Sequence, residues 1–303
     1  MLRRLAADPQ AQPIVVLENF FCTPRQEVLA ALPHGVRLIE GDVADPAAVA
    51  AAFEALGTAG GGPTVFHLAA QPSAAIAVRD PEITERSNLV GARVLLEAAK
   101  QHGARVVFGG SFRVYGDDLT GQTVSEDTPY GKVGDLSHLS KIYVEQLARM
   151  LGSPFVSVRL GVTYGLSPIM KTTPAFMTVP NLFCKRAADG EPLVVLEDRP
   201  LAFIHVDDAA EALLAAARKP LEPSQPYEVV NAAPEVATIG QLARTVQRTA
   251  ERSGTTAVHI DGAASSEAGY TVSSRLHVTP RHRLADGLGD VFEFFLGTSV
   301  SAR

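Results

Sequence analysis

Three groupings along this 303-residue chain carry residue types that could do chemistry. The first is His205-Val-Asp-Asp208, one imidazole and two carboxylates of the kind that ligate divalent metals. They straddle a strand end and a helix start, so they do not converge on one ion. Asp207 or Asp208 is read instead as the N-cap of a helix over 209–217. The second is Gly57-Thr-Ala-Gly-Gly-Gly62, flexible enough to cradle a phosphate. It precedes a strand-like run at 64–67 rather than joining a strand to a helix, which marks a surface turn. The third is a basic cluster, Arg275, Arg281 and Arg283, able to meet an anion but read more simply as a solvated face. Cys22 and Cys184 have no ligand partners near them in sequence, so no metal is expected.

Composition narrows the classes further. The chain is 46% hydrophobic and 20% charged, as a soluble globular protein with a large core would be. A net charge of −6 and a pI near 5.8 give no electrostatic basis for nucleic-acid binding. Two distant cysteines argue against a disulfide scaffold and fit a reducing cytoplasm. No apolar run reaches the roughly 20 residues of a membrane span, and the N-terminal stretch, interrupted by Asp8 and Pro9, is no signal peptide.

The elements that must position any site follow from periodicity. Apolar strand-length runs at 14–17, 36–39, 64–67, 105–108 and 155–158 alternate with helical patterns at 25–32, 46–56, 82–101 and 139–151. Continuous apolar strands separated by helices predict a parallel sheet covered on both faces. In the helix over 82–101, Leu89, Ala92, Leu96 and Ala99 share one face. Beyond residue 165 prolines punctuate the chain, helices are expected at 181–188, 238–252 and 282–296, and 262–269 reads as a surface loop. Residues 203–206 and 227–230 read as late strands.

In order and spacing these segments resemble the extended short-chain dehydrogenases/reductases, the NAD-dependent epimerases and dehydratases, over residues 1 to about 296. The residues that carry the likeness are Glu40-Gly-Asp-Val43, His67-Leu-Ala-Ala70, Asn88, Gly110-Ser-Phe-Arg-Val-Tyr-Gly116, Ser140-Lys141 with Glu145, Arg159 through Tyr164-Gly165, and Phe203-Ile-His-Val-Asp-Asp208. The resemblance implies an α/β fold, a Rossmann-like doubly wound parallel sheet with a small C-terminal substrate-binding α/β lobe. It implies a dinucleotide domain over 1–165 and a substrate lobe over 166–303, with 203–217 and 227–231 returning to the main domain. It implies NAD, with Glu18, Asp42, Val43, Leu68, Ala69, Ala70, Asn88 and Lys141 lying along it, an acid at Glu18 favouring NAD over NADP. Gln71, Arg159 and Arg199 are the implied substrate contacts. A homodimer through helices 82–101 and 139–151 is implied as well.

Two departures bear on function. In such enzymes a tyrosine four residues before the lysine acts as acid/base, its phenolate favoured by the lysine charge, while a Ser/Thr hydroxyl orients the substrate. Here Ser111 and Lys141 match, but position 137 is Ser137, a far weaker acid. His138, three residues before Lys141, or Tyr130 in the loop Pro129-Tyr-Gly-Lys132, could compensate. The simpler readings make His138 a partly exposed helix residue and Tyr130 a packing aromatic. The second departure is the first strand and glycine-rich turn that would cradle a pyrophosphate on a helix N-terminus. Met1 to Leu5 reads as the end of a helix and 13–18 as the second strand of the fold, with no such turn before them. Either the sheet closes the gap, another segment fills it, or the chain is an incomplete version of a longer protein. The sequence therefore implies an NAD-linked epimerase/dehydratase-like oxidoreductase or isomerase acting on a sugar, nucleotide-sugar or similar alcohol. The alternatives are a non-catalytic or truncated homologue retaining the fold, and a cofactor-independent acid/base isomerase or cyclase.

Overall fold

A computed structural model describes residues 1–11, 13–57, 62–255, 258–262 and 269–301. Most of the glycine run 57–62 and of the loop 262–269 therefore lies outside the described residues. The strands are β1 (Ile14–Glu18), β2 (Val36–Glu40), β3 (Thr64–His67), β4 (Arg105–Ser111), β5 (Thr123–Val124), β6 (Phe155–Leu160), β7 (Val162–Tyr164), β8 (Leu193–Val194), β9 (Pro200–His205), β10 (Tyr227–Ala232), β11 (Glu235–Thr238), β12 (Ile260–Asp261) and β13 (Thr271–Val272). The helices are α1 (Leu2–Ala6), α2 (Arg25–Ala31), α3 (Pro46–Leu56), α4 (Ala74–Arg79), α5 (Pro81–Thr84), α6 (Gly91–Gln101), α7 (Leu136–Leu151), α8 (Val179–Asp189), α9 (Val206–Arg218), α10 (Ile239–Arg252) and α11 (Leu284–Ser301). None of the described helices is long and apolar enough to cross a membrane.

The chain divides into two compact units. The first comprises Met1–Val114, Val133–Val158 and Glu211–Val230. Helices α3 and α7 start where sequence chemistry provides a cap. Asp45 accepts from Ala47 N at 2.9 Å ahead of Pro46, and Asp135 accepts from His138 N at 2.9 Å ahead of α7. Helices α3, α6 and α7 form one layer with β4 and β6, built on Val49, Phe53, Leu96, Ala99, Val106 and Val144. Each large side chain buried there contributes roughly 2 kcal/mol.

The expected parallel strands are present, but they make two sheets. β1 and β2 pair in parallel from Ile14↔Val36 to Glu18↔Glu40. A separate sheet has the order β10-β6-β4-β3, with β3 parallel to β4 from Thr64↔Arg105 to His67↔Phe108. Among the described residues one edge of β1 and one edge of β3 have no strand partner. Leu17 of β1 and Val65 of β3 nevertheless rest on the same helical layer. The gap is thus neither closed nor filled by a described segment. Closing it would move β1 by about one strand spacing, roughly 4.8 Å. Gly41, just after β2, lies close against α3 and β1, since a Cβ there would fall 2.6 Å from Ala48 Cβ and 3.3 Å from Leu17 Cδ1.

The helix predicted over 82–101 is not uniform. Glu85–Val90 is a π-helical turn joining α5 to α6, and it turns Asn88 into the interior. Ala92, Leu96 and Ala99 are buried as the periodicity predicts, while Leu89, on the π turn, is only half-buried.

The second unit comprises Tyr115–Lys132, Arg159–Ala210 and Asn231–Arg303. β9 lies between β7, parallel, and β11, antiparallel, in a sheet of its own, while β10 joins β6. Helices α8, α10 and α11 enclose a core around Phe183, Leu193, Phe203, Leu242, Leu288 and Phe292. Small parallel pairs link β5 with β13 and β8 with β12.

Candidate active site

Lys141 projects from α7 to the C-terminal end of β4. Its Nζ donates to Gly109 O at 2.8 Å, two residues before Ser111, and sits 4.7 Å from the centroid of the Phe108 ring. Burial pulls its pKa down to about 8, with Glu145 opposing the shift. On the adjoining strand His67 is fully enclosed and stacks on Phe108 at 5.4 Å. Burial first, and then the Lys141 charge, lower the His67 pKa to about 3. Among the described residues its Nδ1 is buried with no hydrogen-bond partner. His67, Ala69, Ala70, Asn88, Ser140 and Lys141 line a niche that has no room for a water molecule.

The floor of that niche is cross-linked by side-chain amides. Asn88 Oδ1 accepts from Gln71 N at 2.7 Å, and its Nδ2 donates to Gln71 O at 3.1 Å and Ser140 Oγ at 3.2 Å. Ser140 Oγ donates to Ser137 O at 2.6 Å. The Gln71 amide is spent internally, donating to Ser73 O at 3.0 Å and Thr84 Oγ1 at 2.7 Å and accepting from Ser73 N. Gln71 and Ser137 are both buried. Satisfied buried networks of this kind rigidify the strand ends they join.

Ser111 is half-buried, and its Oγ accepts from Arg113 N at 3.3 Å in the turn that follows β4. Across that turn lies the start of α7. His138 Nδ1 stands 2.6 Å from Asp135 Oδ2, each side chain 18% exposed. Burial pushes the Asp135 carboxyl up, but hydrogen bonds from the His138 ring and backbone, with the His138 and Arg113 charges, outweigh it and bring the pKa to about 2.

At the ends of β1 and β2 the acidic candidates hold their own turns. Glu18 Oε1 accepts from Phe20 N at 2.7 Å, fixing Phe20 at a φ of 58°, a left-handed conformation that side chains other than glycine seldom adopt. Asp42 Oδ1 accepts from Ala44 N at 2.7 Å and Oδ2 lies 3.5 Å from Arg86 Nε. Val43 packs where a Cβ on Gly91 would approach within 2.5 Å, and Leu68 is 45% exposed.

The remaining candidates belong to the second unit. Arg159 is buried, donates from Nη1 to Tyr115 Oη at 2.7 Å, and lies between the Tyr115 and Tyr130 rings at 4.8 and 5.2 Å. Tyr115 Oη donates to Asn231 Oδ1 at 2.8 Å. Burial raises the Tyr115 pKa against the opposing pull of Arg159. Backbone contact brings Tyr130 there: a Cβ on Gly131 would fall 1.9 Å from Tyr115 O, so only glycine fits. Sequence reasoning missed Tyr115, whose one signal was its place at the end of the Gly110–Gly116 motif. Arg199 pairs with Asp117 and lies 3.5 Å from Glu197 Oε2.

The metal reading of His205-Val-Asp-Asp208 gains a distant residue, a second histidine at His282, that the sequence concealed. Ligand atoms of His205, Asp207 and His282 lie within 4.8 Å of one another. The two imidazoles, however, stack at 3.9 Å with 21° between their planes, so their lone pairs lie in two nearly parallel planes rather than converging in one. Neither aspartate N-caps α9. The helix starts at Val206, His205 Nδ1 receives Asp207 N at 3.2 Å, and Asp208 accepts from Arg281 N and His282 N at 3.2 and 3.1 Å.

Comparison with known proteins places this geometry in context. A family model described as "NAD dependent epimerase/dehydratase family" matches residues 1–233. A dTDP-glucose 4,6-dehydratase of Mycolicibacterium smegmatis is 31% identical over 125 residues, 41% of this chain and 36% of that protein. The matched stretch thus spans about a third of that relative's length. A UDP-glucose 4-epimerase of Thermus thermophilus, solved in complex with NAD, superposes with a TM-score of 0.76 at 25% identity, covering 97% of this chain and 94% of the other. The UDP-glucose 4-epimerase of Thermotoga maritima, solved with UDP-glucose, gives a TM-score of 0.77 at 22% identity, with 94% and 91% covered.

Proposed function

From the premise that this chain belongs to the NAD dependent epimerase/dehydratase family, we propose that it acts on a sugar nucleotide or a similar sugar alcohol, with NAD as cofactor. The carrying observation is the Lys141 ammonium held on Gly109 O at the end of β4, with Ser111 two residues on. These residues fit the nicotinamide-ribose end of NAD. Lys141 would hold it, Asn88, its amide spent on Gln71 and Ser140, would support the floor beneath, and Glu18 would face the adenosine ribose. NAD supplies a hydride acceptor when bound.

The protein's own residues have separate tasks in this reading. Lys141 offers a positive charge whose lowered pKa marks a partly desolvated ammonium, and so favours any oxygen that gains negative charge beside it. Ser111 orients a substrate oxygen by hydrogen bonding. Arg159 holds the Tyr115 and Tyr130 rings, and Arg199, paired with Asp117, is a weaker candidate for a substrate anion. The chain works in the cytoplasm as a homodimer, a reading supported by Leu139 and Met150, 52% and 83% exposed on α7.

A second reading, a homologue that keeps the fold with a weakened cofactor site, is favoured by the open edges of β1 and β3. Calorimetric titration with NAD and NADP separates the two. Micromolar NAD binding that is lost in Lys141→Met, with turnover of UDP-glucose or dTDP-glucose, supports the first. No heat at millimolar NAD removes it.

A further inference from the structure

Position 137, one helical turn before Lys141, holds a buried serine whose carbonyl is taken by Ser140. One residue on, a single carboxylate fixes an imidazole by two contacts. Asp135 Oδ1 accepts the His138 backbone N at 2.9 Å, which begins α7, and Asp135 Oδ2 meets His138 Nδ1 at 2.6 Å. The helix cap and the ring lock are therefore the same side chain. Asp135 also feels the Arg113 charge, and Arg113 belongs to the turn whose backbone N donates to Ser111 Oγ. The dyad thus caps the helix that carries Lys141, three residues before it.

We propose that His138, oriented by Asp135, is the proton-transfer group of this site. The inference rests on the reading that the ends of β3 and β4 carry the reaction. With Asp135 accepting from Nδ1–H, the neutral ring keeps its basic lone pair on Nε2. In the forward step a substrate O–H bond breaks, its electron pair stays on oxygen, and the proton forms an N–H bond at Nε2. The imidazolium so formed adjoins the Asp135 carboxylate, which stabilises it as the aspartate of a catalytic triad does. In the reverse step Nε2 returns the proton. Imidazole gives and takes protons near neutral pH, which the hydroxyl of Ser137 does not. Asp135 is a positioning residue in this scheme, acting through the tautomer and orientation it imposes.

The test uses the full chain with its imidazoles labelled with nitrogen-15, and His138→Gln to identify the His138 signals. In its neutral form the wild-type ring is expected as the Nδ1–H tautomer. In Asp135→Ser, which keeps a capping hydroxyl but withdraws the oxygen from the ring, that preference is lost. Turnover of UDP-glucose and dTDP-glucose with NAD is measured in parallel. His138→Gln is expected to lower kcat on the order of 100-fold or more with little change in KM. A neutral wild-type ring protonated on Nε2 overturns the proposal, as does a His138→Gln kcat within about threefold of wild type. The latter result, with an active wild type, leaves the functional reading standing. A wild type that turns over neither sugar nucleotide brings down both.

Discussion

Protonation of His67 is expected to oppose folding, and a substitution isolates the effect. Its folded pKa of about 3 lies below the unfolded value near 6.5. The unfolded chain therefore binds a proton that the folded chain refuses, and stability contributed by neutral His67 is complete above pH 6.5 and lost as pH falls from there toward 3. Between about pH 7.5 and 5.5 only the unfolded form titrates, and the loss is RT ln(11/1.1), about 1.4 kcal/mol. The change His67→Phe removes the titration, keeps a ring against Phe108, and eliminates the orphaned Nδ1. Urea unfolding of both proteins at the two pH values should show the wild type losing about 1.4 kcal/mol more than the variant. At the higher pH the variant should be no less stable than wild type, since deleting an unsatisfied buried atom offsets imperfect packing. Equal pH dependence of the two proteins, within about 0.3 kcal/mol, would refute the claim that His67 is held neutral by burial.

Other perturbations read other parts of the structure. Lys141, with its folded pKa of about 8 below the unfolded 10.5, makes wild-type stability rise between those values, and Lys141→Met should flatten that rise in alkaline denaturation curves. Gly131→Ala sets a Cβ 1.9 Å from Tyr115 O and should cost several kcal/mol, about 3 or more, in thermal or urea unfolding. Asn88→Ala leaves Gln71 N and O without their partners and should cost about 2–4 kcal/mol, with faster amide exchange at Gln71. Sedimentation at micromolar concentration should show a dimer that Leu139→Glu weakens, and a wild type that is monomeric throughout would contradict the proposed pairing.

Periodicity alone located β1 to β4, β6 and most of the helices between them, though not α4, because strands buried on both faces must be apolar throughout and their covering helices apolar on one side. Motif spacing put Lys141 on a helix and Ser111 at a strand end, since both follow from local pattern. The same local reading failed where partners come from afar. It gave Asp207 or Asp208 a capping role, whereas Asp208 holds the backbone of Arg281 and His282, more than 70 residues away. It could not see that Gln71 spends its amide on Ser73 and Thr84, or that Asn88 turns inward on a π-helical turn.

What the sequence determined by itself was the α/β pattern and which residue types stand at 111, 137, 138 and 141. Whether the gap between β1 and β3 would close was a tertiary matter. Among the described residues both strands rest on one helical layer, each with an edge that has no strand partner. The tertiary structure likewise decided which of the nearby titratable groups received a partner. Hydrogen bonding and burial depend on what lies across space, and a linear pattern records only what lies next along the chain.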